Sequence, residues 1–147
     1  MKLFKSVDKV LARMGSSKAT ERAYNEPLTV EKTKQIPGEQ IAASEAGGIW
    51  AGIQELNGYV FMELVILDTT KIKTFKGISL KFLGDNQLTL DSDTKEVNSE
   101  FSDLFNRWLT QVSFEISKKE LNFIKRKKYT QVQLDFKNKS LMFEVKK

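Results

Sequence analysis

Apolar residues recur along this chain in two rhythms, one confined to the start and another running through most of the rest. At the start, Leu3, Phe4, Val7, Val10, Leu11 and Met14 fall at the spacing of a single helical stripe. Lys2, Lys5, Asp8, Lys9 and Arg13 occupy the other side, and Gly15-Ser16-Ser17 stops the pattern. Residues 1–15 are therefore expected to form an amphipathic helical arm. Residues 16–48 hold both prolines, Pro27 and Pro37, few large apolar side chains and many polar ones. That is the composition of a polar linker or extended segment. Within it, Leu28 to Lys32 predicts a short strand, Ile36 to Glu39 a turn, and Ala42 to Gly48 a flexible close.

From Ile49 the period becomes two. Ile49–Leu56 and Tyr59–Leu67 flank Asn57-Gly58, a pair that accepts the positive φ angles of a two-residue hairpin turn. Counting outward from that turn sets Leu56 opposite Tyr59, Glu55 opposite Val60 and Gly52 opposite Glu63. The second arm is apolar on both faces and so belongs in mid-sheet. Ile72–Leu83 predicts a further strand with a bulge at Gly77, and Gln87–Asp91 another. Phe101, Leu104, Phe105, Trp108 and Leu109 fit helical spacing, which predicts a short helix over Asn98–Leu109.

The last third alternates at Val112, Phe114 and Ile116, then at Val132, Leu134 and Phe136, then at Leu141, Phe143 and Val145. Between the first two sits Ser117-Lys118-Lys119-Glu120, a capping box in which hydroxyl and carboxylate each satisfy the other residue's free amide. Ile116 and Leu121 supply its hydrophobic staple. The expected fold is α+β: a mainly antiparallel sheet, curled into a partial barrel or a sandwich, with short helices and the N-terminal arm. Residues 49–147 form the β-rich globular domain.

Composition narrows the chemistry. The 147 residues are 40% apolar and 29% charged, enough for one core with an extension. No run approaches the roughly 20 apolar residues that span a bilayer. Charges at Lys5, Asp8, Lys9 and Arg13 break any secretory signal, so a cytoplasmic location is expected. There is no cysteine and no histidine, which removes disulfides, thiol nucleophiles, the commonest general base and the commonest transition-metal ligand. No cofactor and no metal are expected, and the chain is not expected to be an enzyme. Asp91 to Glu96 lacks the glycine and the closing glutamate of a calcium loop. Charge is also polarised: Ser117–Lys147 carries ten Lys or Arg against three acids, whereas Gly84–Phe105 carries six acids against Lys95 alone. Such a dipole steers partners.

Three candidate sites remain. Lys125, Arg126, Lys127 and Lys128 form an anion-contact cluster, but they follow a helix C-terminus, where cations complement the macrodipole. Nucleic acid is accordingly disfavoured. Trp50, Glu63 and Trp108 are candidates for a ligand pocket, Glu63 being the one charge in an otherwise apolar strand. The apolar stripe of the arm is the candidate partner-binding surface. The leading expectation is a non-catalytic interaction or adaptor protein whose arm docks on a partner protein or another copy. Docking on its own sheet ranks beside these, and peripheral membrane contact ranks behind. The alternative is a small-molecule or lipid-binding β domain with an aromatic-lined pocket.

Overall fold

The computed structural model describes residue 28 and residues 30–145. The expected arm, with Leu3, Phe4, Val7, Val10, Leu11 and Met14, lies outside the described residues, as does the linker up to Pro27. The order of elements is α1 (Val30–Thr33), β1 (Glu39–Ala43), β2 (Gly48–Leu56), β3 (Tyr59–Asp68), β4 (Lys73–Thr74), β5 (Ser79–Leu83), β6 (Leu88–Asp91), β7 (Val97–Asn98), β8 (Glu100–Ser102), β9 (Arg107–Ile116), α2 (Lys118–Arg126), β10 (Gln131–Phe136) and β11 (Lys139–Val145). Nine strands form one sheet in the order β6-β5-β10-β11-β1-β2-β3-β9-β8, while β4 and β7 pair separately. Every pairing is antiparallel.

Alternation along the strands builds a single inner core. Ile49 of β2, Val60, Met62, Leu64 and Ile66 of β3, Leu80 and Phe82 of β5, Leu90 of β6, Val112 and Phe114 of β9 and Val132 and Leu134 of β10 all join it. Residues from opposite ends of the strand order meet in one cluster because the sheet curls. Asp93, just past β6, completes the curl at β9: its N–H donates to Ser113 O at 3.0 Å, and its Oδ1 accepts from Glu115 N–H at 2.8 Å. One end is closed by α2, through Leu121 and Ile124, and by Tyr129. The capping box forms as expected, with Ser117 Oγ accepting from Glu120 N–H and Glu120 Oε1 from Ser117 N–H.

The hairpin register matches the count from Asn57-Gly58: Leu56 opposes Tyr59, Val60 opposes Glu55, and Glu63 opposes Gly52. Asn57 and Gly58 both take positive φ, 53° and 84°. Elsewhere the structure differs from the expected elements. Within residues 16–48, expected as a polar linker or extended segment, β1 pairs with both β2 and β11 and Ile36 is buried. Gly47 is a close approach rather than a flexible close, because a Cβ there would stand 1.7 Å from Leu67 O. In place of the strand expected over Leu28–Lys32, the one-turn helix α1 begins at Val30.

The helix expected over Asn98–Leu109 is instead a hairpin. Phe101 pairs with Trp108 and Ser102 with Arg107 across a turn in which Asn106 takes φ 54°. Its helix-like spacing arises because Leu104 and Phe105 in the turn and Leu109 in the strand all reach one patch of the sheet. The strand expected over Ile72–Leu83 is broken into β4 and β5, with Gly77 at φ 77° between them.

Candidate functional site

The site begins from the face of β2, β3 and β9 that points away from the inner core. Strand alternation puts Trp50, Gly52, Gln54 and Leu56 of β2 on it, with Tyr59, Phe61, Glu63, Val65 and Leu67 of β3 and Leu109, Gln111, Ser113 and Glu115 of β9. One end of this outer face carries its own apolar cluster: Ile36, Trp50, Val65, Leu67, Phe105 and Leu109, with Leu28 and Leu104 packed against it. The other end is open. Leu56 and Tyr59, paired across the hairpin end, are 51% and 58% exposed.

Glu63 lies between these ends, 1% exposed. Its cross-strand neighbours are Gly52 and Ser113, the one without a side chain and the other with a small one. Ser113 Oγ donates to Glu63 Oε1 at 3.3 Å and also stands 3.4 Å from Asp93 Oδ2. A hydroxyl has one proton, so two carboxylates compete for it. Burial pushes the Glu63 carboxyl above its ordinary range, the Ser113 hydrogen bond opposes the shift, and the Asp93 charge adds to it. Glu63 Oε2 is buried with no hydrogen-bond partner.

Two more atoms on the same face share that condition. Gln54 Oε1 and Gln111 Nε2 are buried and unpartnered as well. Gln54 opposes Phe61, and Gln111 opposes Val65, so the three orphaned polar groups sit on adjacent strands around Glu63. A buried polar group without a partner costs about 1–3 kcal/mol, and folded proteins seldom tolerate several together. Chemically the face offers two unsatisfied oxygens and one unsatisfied N–H. It suits an occupant rich in N–H donors or positive charge.

A groove of about 430 Å³ runs beside it, lined by Thr94, Glu96, Val97, Asn98, Glu100, Leu109 and Gln111. Glu96 and Glu100 are exposed, as are Asp93 and Glu115 nearby. This side of the molecule is acidic. Among the described residues no cluster of three or more His, Cys, Asp or Glu is arranged to hold a metal ion.

The other candidate residues disperse. Trp50 is buried in the outer cluster. Alternation places Trp108 on the opposite face of the sheet, where it meets Phe101 edge-on at 5.3 Å and Lys71 Nζ lies 5.1 Å from its ring centroid. The two tryptophans therefore do not line one pocket. In the basic cluster, Lys127 is the left-handed C-cap of α2 and pairs with Glu39 of β1. Arg126 and Lys128 edge a depression of about 210 Å³ together with Asp85, Asn86 and Phe123. An acid within that depression weakens it as an anion site. No described helix is long and apolar enough to cross a membrane.

Asp93, Ser113, Gln54 and Gln111 were not foreseen as site residues. The only signal for them in the chain is position: all but Asp93 share the strand parity of Glu63. Comparison with protein-family models, with curated proteins and with solved structures finds no match.

Proposed function

We propose that this protein is a non-catalytic interaction module that uses the outer face of β2, β3 and β9 as a docking surface for an amphipathic helix. The helix it receives comes from a partner protein, from another copy or from the chain itself, whose residues 1–14 carry such a stripe. The observation that carries this reading is the group of buried, unpartnered atoms on one face: Gln54 Oε1, Glu63 Oε2 and Gln111 Nε2. Apolar Phe61, Tyr59 and Leu56 extend the same face outward to the exposed hairpin end. Contiguous apolar surface with a few aimed polar groups is the usual make-up of a helix-binding groove.

A photo-reactive residue placed at Tyr59 in the full-length chain tests the proposal inside its host cells. The expected product is an adduct to one defined amphipathic segment, lost when Leu56 is changed to Ser. Scattered adducts, no different from those obtained with the probe at exposed Lys139, overturn it.

A further inference from the structure

Three features point to what lies on this face. Glu63 is 1% exposed although its lateral neighbours in the sheet are Gly52 and Ser113. Its other neighbours on that face include Phe61 and Val65 along β3 and Gln54 and Gln111 on the adjacent strands, and both glutamines carry a buried atom without a partner. The surroundings are acidic, with Asp93, Glu96, Glu100 and Glu115 exposed around it. And Leu28 packs against the outer apolar cluster, on the face that carries Glu63. The chain before it thus enters at the edge of the surface in question.

What precedes Leu28 fits on all three counts. Residues 1–14 carry an apolar stripe, Leu3, Phe4, Val7, Val10, Leu11 and Met14, flanked by Lys2, Lys5, Lys9 and Arg13 against the single acid Asp8. A helix of that length extends about 21 Å at 1.5 Å per residue. Glu63 to Tyr59 along β3 spans only about 13 Å at 3.3 Å per residue. The residues between Met14 and Leu28 reach up to roughly 45 Å when extended, more than the length of the whole face. A tether of this kind holds its segment at an effective concentration in the millimolar range, which a separate chain rarely reaches.

We infer that the chain's own N-terminal segment, residues 1–14, docks as a basic amphipathic helix on the outer face of β2, β3 and β9, over Glu63. This rests on the docking reading above and names the occupant. The apolar stripe covers Phe61, Tyr59 and Leu56. Lys and Arg stems reach along the flanks and put their charges over the acidic rim of Asp93, Glu96, Glu100 and Glu115. Any external partner for this face must then displace the arm, which makes the arm a built-in competitor.

The absence of cysteine from the chain gives a clean test. Full-length protein carrying Ser6→Cys with Glu115→Cys is treated with a short bis-maleimide, beside a control carrying Ser6→Cys with Lys139→Cys. Glu115 lies on the outer face of β9, and Lys139 begins the terminal hairpin strand β11. The expected result is a product of monomer mass, formed roughly tenfold faster than in the control and at a rate independent of protein concentration. Adding Val7→Asp should erase that preference. Product at dimer mass only would assign the face to the arm of a second copy, overturning the inference while leaving the docking reading intact. No preference over the control, the result for an arm reserved for another protein or a lipid surface, also overturns the inference. The docking reading itself falls only if the Tyr59 probe gives scattered adducts.

Discussion

The two faces of β3 are made by one alternating run of residues, yet they end in different states. Val60, Met62, Leu64 and Ile66 point inward, none more than 3% exposed, and their neighbours on every side belong to the same body. Phe61, Glu63, Val65 and Leu67 point outward. Val65 and Leu67 are covered by Ile36, Trp50 and Phe105, but from Glu63 onward the face passes to orphaned polar atoms and then to exposed Tyr59. The inner face accounts for its own burial. The outer face is half explained by the described chain, and the unexplained half is where interaction chemistry concentrates.

If that contrast is sound, damage to the inner face must cost far more than damage to the outer one. Phe114, opposite Met62 on β9 and wholly buried, is the sharpest probe. Phe114→Ala is expected to destabilise by about 3–5 kcal/mol in urea unfolding, from lost burial and the cavity left behind. A loss near 1 kcal/mol would mean the inner core is loosely packed, and the comparison would fail at its better-defined end.

Glu63 is the next largest effect and has the opposite sign. Its carboxyl is raised above the ordinary value of 4.5, chiefly by burial. Below that value both folded and unfolded chains are protonated there. As pH rises through it, the unfolded chain ionises first while the folded chain keeps its proton, so stability falls across the window up to the raised value. Glu63→Gln removes the group that titrates. The variant is expected to lose this fall and to be more stable than the parent at neutral pH, by on the order of 2 kcal/mol. Parallel stability-versus-pH curves for parent and variant would show that Glu63 is not the strained group described above.

The inner face has one blemish of the same kind. Thr110 is 1% exposed, its Oγ1 has no partner, and alternation turns it toward the side of Val112 and Phe114. Thr110→Val keeps the shape and removes the orphaned hydroxyl. A gain of about 1 kcal/mol in denaturant unfolding is expected. Loss of stability instead would mean that the hydroxyl is satisfied in solution.

Elements with a local cause were legible in the sequence. Asn57-Gly58 set the central hairpin and its register, and Ser117 with Glu120 marked the start of α2. Elements whose cause is distant were not. Phe101 to Leu109 mimics helical spacing because a turn brings Leu104 and Phe105 onto the same patch as Leu109. Polar Glu39–Ala43 is a strand because β2 and β11 offer edges on both sides, which overrides its weak propensity. Glu63 stood out as the one charge in an apolar strand, but its partners did not. Asp93 reaches Ser113 across 20 positions of sequence, through curling of the sheet, and no local pattern encodes that.

The smallest expected effect on stability is the one that separates the faces most cleanly. Leu56 and Tyr59 oppose each other at the hairpin end, and more than half of each is exposed. Changing both to Ser removes apolar area that the body does not use, so unfolding free energy should move by no more than about 0.5 kcal/mol. Asn57 and Gly58 are untouched, and the register should persist. Docking is another matter, since these two side chains form the outer end of the surface assigned to the arm. The Ser6–Glu115 cross-link should slow toward the rate of the Ser6–Lys139 control. A double variant that is both stable and unimpaired in cross-linking would show that the arm stops short of the hairpin end, and would confine docking to Phe61, Glu63 and their neighbours. A double variant that unfolds would show that exposed Leu56 and Tyr59 hold the hairpin together, and the outer face would then be structural along its whole length.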